Sequence, residues 1–194
     1  METTVKTSII AFLAVAGLIT AGCSQVKVID TEYGQNYYDG AFEFATMDGS
    51  LKTAVVGSPF AAEATNEFAK SVTGLMKNAT FGRDVTFVPA PRNLEKNAFH
   101  SVIVFNGVQP FTGREMCEND VPIKTRASRA QTRMHAVFCH GKFPISYSSG
   151  FALNLAGPAD PDFQILVRAV AQAMIPRYDD FHSSGSRRSS EFQG

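Results

Sequence analysis

Two sets of side chains in this sequence have the residue types of a hydrolytic site. A serine nucleophile needs a base beside it and is often marked by a Gly-x-Ser-x-Gly turn. The segment Ser148-Ser149-Gly150 lacks the leading glycine of that turn. His100 and Asp120 are a candidate base and carboxylate, but nothing in their spacing places them together. The sequence therefore predicts no catalytic residue and no bound cofactor.

Cysteine offers a second kind of chemistry, because a thiol can be acylated, form a disulfide or bind a metal. The chain has three cysteines, Cys23, Cys117 and Cys139. A metal site would join the last two to His135 and His140. Cys139 and His140 are neighbours on an apparent strand, so their side chains point to opposite faces. No Cys-x-x-Cys or His-x-x-x-His spacing is present, and we predict no metal site, although this alternative stays open at the level of sequence.

The first residues of the chain have the pattern of a targeting segment. A short polar start carries Lys6, and residues 7–26 contain no charged side chain. The apolar centre spans only residues 9–19, whereas a transmembrane helix needs about 20 apolar residues. This length is typical of the hydrophobic region of a signal peptide, which we predict over residues 1–22.

The targeting segment ends in Thr20-Ala21-Gly22-Cys23-Ser24. Small residues that end at a cysteine resemble the lipobox of bacterial lipoproteins, although Thr20 stands where Leu, Val or Ile is commoner. The resemblance implies that the Cys23 thiol is acylated, that the peptide is cut before it, and that the lipid bilayer is a partner. Two or more acyl chains anchor a protein stably. Ser24 after the acylated cysteine implies sorting to the outer membrane.

A lipoprotein of this kind folds in the periplasm, where disulfides persist. With Cys23 acylated, Cys117 and Cys139 remain as an even pair. We therefore predict a disulfide between them, which would contribute roughly 3 kcal/mol to stability by the loop-entropy model.

One short segment is rich in cations: Lys124, Arg126, Arg129 and Arg133. Along an extended chain this spacing can present a patch for lipopolysaccharide phosphates or for an acidic envelope protein. The other interpretation is a solvated loop whose charge is balanced by three nearby carboxylates. These are Glu115, Glu118 and Asp120.

Composition limits the classes of function. The chain has 194 residues, 18 Lys+Arg against 18 Asp+Glu, and 44% hydrophobic residues, which fits one folded domain. The charge balance argues against a nucleic-acid partner bound through long-range phosphate attraction. A carbohydrate platform would typically show Trp, and the chain has none.

Helices that would position these residues are indicated by periodicity and by capping signals. Ser58 and Pro59 predict the opening of a first helix, and apolar positions at three- and four-residue spacing predict helix over residues 64–76. Asp160 and Pro161 mark the start of a last helix, which Pro176 ends.

Strands are predicted over residues 41–45, 51–56, 85–88, 99–105, 132–139 and 143–148. The first two form a hairpin about Asp48-Gly49, and the last two form a second hairpin. The continuous apolar run at 99–105 is expected at the centre of the sheet. The fold class is therefore α+β: a single domain with an antiparallel or mixed sheet of about six strands and two amphipathic helices packed on it.

Composition assigns the remaining segments. Residues 23–39 are polar and rich in Tyr, which indicates a lipidated tether before a domain at 40–176. Residues 106–131, rich in Gly, Pro and charged side chains, form a long loop. Residues 177–194 are rich in Ser and Arg, which predicts a disordered tail.

Five short motifs carry a wider resemblance: Gly57-Ser58-Pro59-Phe60, Val104-Phe105-Asn106, Met116-Cys117, Val137-Phe138-Cys139-His140-Gly141 and Gly157-Pro158-Ala159-Asp160-Pro161. Together they resemble a set of small uncharacterised lipoproteins of alphaproteobacteria, over roughly residues 54–176. Those proteins have no assigned activity, so the resemblance implies the fold and the envelope address alone.

The expected function follows from this address. We expect a non-enzymatic lipoprotein of the cell envelope, anchored by Cys23 in the outer membrane and facing the periplasm, that serves as a binding or structural module. One alternative is a periplasmic enzyme that uses the loop 106–131. Another is an accessory lipoprotein for assembly or secretion.

Overall fold

The structure is a computed structural model that describes residues 26–61, 64–81, 83–92, 98–118, 120 and 122–175. The predicted signal peptide, Cys23 and the predicted tail 177–194 lie outside these described residues. The described part forms a single α+β domain with one mixed sheet of six strands, which confirms the predicted fold class. Within it, no helix has both the length and the apolar character that crossing a bilayer requires.

The elements follow one another along the chain as β1 (Lys27–Tyr33), α1 (Ala41–Ala45), β2 (Ser50–Val56), α2 (Asn66–Met76), a 3₁₀ turn (Lys77–Ala79), β3 (Thr86–Pro89), β4 (Phe99–Phe105), α3 (Gly113–Cys117), β5 (Gln131–His140), β6 (Phe143–Leu153) and α4 (Pro161–Met174). The strand order in the sheet is β1-β6-β5-β4-β2-β3. β2 runs parallel to β3 and β4, and the other pairs are antiparallel.

β4 lies at the centre of the sheet, as its sequence predicts. It pairs with β2 on one side and with β5 on the other. All of its residues after Phe99 are buried, because helices cover one face of the sheet and a loop covers the other. A strand buried on both faces reads as a continuous apolar run rather than as an alternating one.

The two long helices pack on one face of the sheet and form the larger core. Phe68, Val72 and Met76 of α2 are buried there, as the apolar spacing predicts. The start of α4 is also confirmed, because Asp160 accepts a hydrogen bond from the Asp162 amide at 2.9 Å. The buried stripe of α4 contains Phe163, Leu166, Val167, Val170 and Met174.

Residues 41–45, predicted as a strand, are one turn of helix instead. The turn begins after Gly40, whose φ of 84° is a left-handed conformation that favours glycine. In a strand, Phe42 and Phe44 would share one face. In α1 only Phe42 enters the core, where its ring lies 5.7 Å from that of Phe138, while Phe44 stays 61% exposed. The predicted hairpin about Asp48-Gly49 is therefore wrong.

The predicted opening of the first helix at Ser58 is also wrong. The Ser58 hydroxyl does accept a hydrogen bond from the Phe60 amide at 3.1 Å, but within a turn. α2 begins at Asn66, where the Thr65 hydroxyl accepts from the Phe68 amide at 3.1 Å. A serine two residues before an amide makes the same local bond in a turn as at a helix start.

The region predicted as a tether contains a strand of the sheet. β1 pairs with β6 from Lys27, opposite Phe151, to Tyr33, opposite Ser146. Its polar sequence reflects its position at the edge of the sheet, where much of the strand is exposed to solvent. The folded domain therefore begins close to Val26 and not at residue 40.

The loop 106–131 covers the other face of the sheet and carries α3. Met116 and Cys117 of α3 are buried against the sheet residues Ala54, Val102 and Val137. α3 is closed at its start by a capping box between Thr112 and Glu115. This second, smaller core fixes the path of the loop and so the position of the cations that follow it.

Candidate functional site

The basic segment, residues 124–133 with its four cations, lies at one end of the sheet. Gln131, at the start of β5, is opposite Leu153 at the end of β6, and Lys27, at the start of β1, is opposite Phe151. The ends of β2 and β4 lie at this same end of the sheet, because β4 runs antiparallel to β5 and β2 runs parallel to β4. We call this region the basic end and define it by five exposed cations. These are Lys27, Lys124, Arg126, Arg129 and Arg133.

Asn106 holds the basic segment against the end of β4. Its side-chain oxygen accepts from the Arg133 amide at 2.8 Å, and its side-chain nitrogen donates to the Ser128 carbonyl at 3.0 Å. Its own amide donates to the Arg133 carbonyl at 2.9 Å, and its carbonyl accepts from the Arg126 amide at 3.1 Å. Asn106 is 6% exposed and has a left-handed φ of 50°. Asparagine tolerates this conformation better than most residues.

The first part of the segment is held by two further backbone contacts. The Val108 amide donates to the Lys124 carbonyl at 2.9 Å, and Gly107 forms a bridge with Thr125. Thr125 also lies against Gly57, where an added Cβ would approach its side chain to 2.6 Å. Thr125 is half-buried while Lys124 and Arg126 are exposed. Alternation along this extended stretch therefore turns both cations to solvent.

Arg129 is positioned by an aromatic ring and by the backbone. Its guanidinium lies 5.6 Å from the centre of the Phe60 ring and donates to the Ala156 carbonyl at 3.5 Å. The Leu155 amide donates to the Arg129 carbonyl at 3.0 Å. Arg129 remains exposed, and a cation–π contact at an exposed site contributes about 0.5–1 kcal/mol.

Lys27 and Arg133 stand on either side of one aromatic residue. Phe151 of β6 aligns with Lys27 of β1 and with Arg133 of β5. Aligned residues of antiparallel strands point to the same face of a sheet, so a cation, a ring and a cation follow one another across three strands. The sequence prediction did not include Lys27, because the segment around it was interpreted as a tether.

The three carboxylates near the segment in sequence are engaged elsewhere. Glu115 accepts from the Thr112 amide at 2.7 Å, and this bond lowers the pKa of the Glu115 carboxyl. Glu118 pairs with Arg114 at 2.8 Å, and Asp120 pairs with Lys142 at 3.1 Å. In the described part of the chain, none of the five cations of the basic end lies within 4.0 Å of a carboxylate oxygen.

The predicted disulfide is present. The sulfur atoms of Cys117 and Cys139 are 2.04 Å apart, and the bond joins the end of α3 to β5. Two sulfur atoms bonded to each other do not serve as thiolate ligands, so the metal alternative loses them. His135 instead shares a 2.6 Å hydrogen bond with the Tyr147 hydroxyl, and His140 stacks on Phe99 with ring centres 4.3 Å apart.

Among the described residues, the candidate base His100 and the candidate carboxylate Asp120 share no hydrogen bond. His100 is buried, and its Nδ1 lies 3.0 Å from the Ala98 carbonyl oxygen, while Asp120 pairs with Lys142. Ser148 donates to the Val170 carbonyl at 2.6 Å and so supports α4. Across the described ranges, no group of three or more His, Cys, Asp and Glu side chains is placed to hold a metal ion.

His135 lies two residues beyond Arg133 on β5 and therefore on the same face of the sheet, the one that the loop 106–131 covers. Burial, and secondarily the charge of Arg133, lowers the pKa of His135 from 6.5 to about 4. Burial also lowers the pKa of His100. The His135 imidazole is therefore neutral at pH 7 and adds no charge to the basic end, whose cations are Lys and Arg alone.

Comparison with known proteins gives the chain no family. No family model matches it, and no curated protein matches it. Among solved structures it is similar to the PelC dodecamer from Paraburkholderia phytofirmans, with a TM-score of 0.42, 15% identity, and coverage of 78% of this chain and 99% of that chain. A PelC variant from the same organism gives a TM-score of 0.40 and 12% identity, with the same coverage. Both are distant likenesses, and no residue role is transferred from them.

Proposed function

We propose that this chain is a lipoprotein of the bacterial cell envelope, anchored through acylated Cys23, whose domain binds another envelope component through the basic end. The domain faces the periplasm, and Ser24 favours the outer membrane as its destination. In this proposal the protein acts by binding and by position, and not by turning over a substrate.

The observation that carries the binding role is the construction of the basic end. Its cations stand on a segment that Asn106 and Val108 attach to the end of β4 by hydrogen bonds, so the backbone that carries them is already ordered before a ligand binds. The nearby carboxylates are paired elsewhere. A surface whose like charges are held in place without internal counterions favours an anionic ligand, since little ordering entropy remains to be lost on binding.

The disulfide supports the proposed compartment. Disulfides persist in the periplasm and are rare in reducing cytosol. Cys117 is 3% exposed and Cys139 is fully buried, which fits a structural bond. This role leaves Cys23 as the cysteine on which acylation would occur.

The anchor is tested by metabolic labelling. Cells that express the full chain are grown with an alkyne analogue of palmitate, and the purified protein is examined for the label and for its intact mass. We expect label on the wild-type chain and on the matched Cys117→Ser/Cys139→Ser variant, and none on Cys23→Ser. Equal labelling of Cys23→Ser and wild type, or no label on either, would contradict the anchor. Density separation of the two membranes then tests the predicted destination.

A further inference from the structure

We propose that the basic end is a docking surface for the anionic headgroups of the bilayer in which the chain is anchored. This inference rests on the proposed function, because it takes the lipid anchor at Cys23 as given. It goes further by naming the ligand class, which is the phosphate-bearing headgroup of a membrane lipid, and by orienting the domain on the membrane.

The length of chain before β1 limits where the domain can be. Lys27 follows Cys23 by four residues, and a fully extended chain spans at most about 14 Å over that number. An acylated Cys23 therefore holds the start of β1 within about 14 Å of the headgroup region. The basic end contains that start, so it is the end of the sheet nearest to the bilayer. If residues 23–39 formed a tether, as the sequence predicts, the domain could lie much farther from the bilayer; β1 begins at Lys27 instead.

Within that distance the charges of the basic end act on the membrane. Electrostatic screening in physiological salt has a length of about 8 Å, so the attraction is felt when the start of β1 lies within about that length of the headgroups and is largely screened at the maximum separation of about 14 Å. Lys27, Arg126 and Arg133 are exposed, and cations near an anionic leaflet are attracted to it. An acyl anchor combined with a basic patch is the two-signal arrangement that holds peripheral proteins stably.

Three of the described acidic residues at the same end lie in the helical layer, whereas Asp30 lies on β1, three residues after Lys27. Glu67 is in the first turn of α2, and Asp160 and Asp162 are at the start of α4. Asp160 already accepts hydrogen bonds from the Ala156 and Asp162 amides at 2.7 and 2.9 Å, and acidic residues at helix starts offset the positive end of the helix dipole. The side of the basic end formed by β1, β5 and the loop is therefore the side that meets the headgroups.

The test uses the mature chain, residues 23–194, with Cys23→Ser, which keeps every described residue and lacks the anchor. Its binding is measured by sedimentation with vesicles of phosphatidylcholine alone and with vesicles that contain roughly one-third phosphatidylglycerol. We expect binding to the anionic vesicles only, weakened progressively by added NaCl. Inorganic phosphate at equal ionic strength serves as a competitor and should displace no more protein than chloride does, which separates a membrane surface from a free phosphate site.

Two double variants with the same net charge show which end binds. Arg126→Gln/Arg133→Gln removes two cations of the basic end. Lys77→Gln/Lys142→Gln removes two exposed cations from the opposite end of the sheet, where they pair with Asp84 and Asp120. The first should weaken binding to anionic vesicles about fivefold for each cation removed, or about 25-fold in all. The second should change it by less than about twofold, since screening isolates that end from the membrane. Circular dichroism and thiol titration confirm that both variants fold and keep the disulfide.

Three results would overturn the proposal. One is equal binding to neutral and anionic vesicles, or none to either. Another is equal weakening by the two double variants. The third is retention of the chain on an immobilised acidic peptide without binding to anionic vesicles, which would assign the basic end to a protein partner. Palmitate labelling tests acylation of Cys23 independently of vesicle binding. A chain that is labelled but does not bind vesicles would contradict only the docking surface, and a chain that binds vesicles but is not labelled would contradict only the anchor.

Discussion

Asn106 joins the end of the central strand to the segment that carries the cations. Its left-handed φ turns the chain at the end of β4, and its buried amide side chain then satisfies the Arg133 amide and the Ser128 carbonyl. A backbone group left unpaired in this position would cost about 1–3 kcal/mol. The polarity and the conformation of this one residue therefore both contribute to the shape of the basic end.

Replacement of Asn106 should cost more than replacement of another left-handed asparagine. Asn106→Ala loses two side-chain hydrogen bonds and puts alanine, which tolerates a positive φ less well than asparagine, at this left-handed position, so we expect a loss of about 2–4 kcal/mol in the free energy of unfolding. Asn154 has a φ of 54° and is exposed, so Asn154→Ala should cost about 1 kcal/mol from the backbone alone. Urea unfolding measures both. Equal losses would show that the Asn106 side chain contributes nothing beyond its backbone conformation.

The lowered pKa of His135 predicts a loss of stability in acid. In the unfolded chain this histidine binds a proton below about pH 6.5, whereas burial in the folded chain lowers its pKa to about 4. Its contribution to stability is present above pH 6.5 and is lost as the pH falls through about 4, by up to about 3 kcal/mol.

Urea unfolding between pH 7 and pH 4 tests this expectation. His135→Gln should flatten the decline in unfolding free energy over this range. His140→Gln, which alters an exposed ring on the other face of the sheet, should leave the decline unchanged. Burial also lowers the pKa of His100, so His100 keeps its own contribution in both variants. An identical decline in wild type and His135→Gln would contradict the assignment.

Among the helices, residue types typical of a helix start predict the structure correctly at one position and wrongly at another. Asp160 followed by Pro161 has the residue types of a helix start, and α4 begins there. Ser58 followed by Pro59 has nearly the same types, yet forms a turn before α2. The difference lies in tertiary packing, because Phe60 is drawn toward Phe163, with ring centres 5.2 Å apart. A capping pattern does not contain that information.

The two short elements at the start of the domain were mispredicted for a related reason. α1 has only five residues, so its apolar residues fit the two-residue period of a strand as well as a helical turn. β1 is an edge strand with much of its length exposed, and such a strand lacks the alternating apolar residues from which a strand is predicted. The consequence for the site was large, because missing β1 also meant missing Lys27.

The close packing of α4 on β6 requires the absence of a side chain at Gly150. An added Cβ would approach the Val170 side chain to 2.6 Å and the Lys27 carbonyl oxygen to 2.9 Å. We expect Gly150→Ala to destabilise the domain by about 1–3 kcal/mol, because α4 or β1 must move. At Gly157 an added Cβ meets nothing within 4 Å, so Gly157→Ala is the matched control and should be nearly neutral. Thermal unfolding compares them, and equal midpoints would reject close packing at Gly150.

The disulfide is expected to stabilise the oxidised fold. The bond joins residues separated by 22 positions, and closing a loop of this length contributes roughly 3 kcal/mol in the loop-entropy model. Cys117→Ser/Cys139→Ser should lower the free energy of unfolding by about that amount, whereas Cys23→Ser should not change it. Urea unfolding of the mature chain without reductant gives both values. A double variant as stable as the wild type would show that α3 is held by packing alone.

At the scale of the whole molecule, the four cations of the basic segment were predicted from their spacing, but their common setting was not. The sequence places Lys124 and Arg133 in or beside a loop, and only the register of β1, β6 and β5 shows that the end of this loop lies at the same end of the sheet as the start of β1. This placement is a long-range property of the sheet order. It brings Lys27, which follows the predicted acylation site by four residues, and the charged loop, which is distant in the sequence, to one end of the sheet.

In the proposed arrangement, an acylated Cys23 and the basic end together hold the domain with that end against the bilayer. A fluorescent amino acid is introduced in place of Val108, at the basic end, or of Phe143, at the opposite end. These positions are similarly exposed, at 53% and 49%. The ends of the sheet are about 35 Å apart along β6, which has 11 residues.

The acylated protein is extracted from cells and reconstituted in anionic vesicles that contain headgroup-labelled quencher lipids. We predict strong quenching of the probe at residue 108 and little quenching of the probe at residue 143. Equal quenching of the two probes, or stronger quenching at residue 143, would contradict the account.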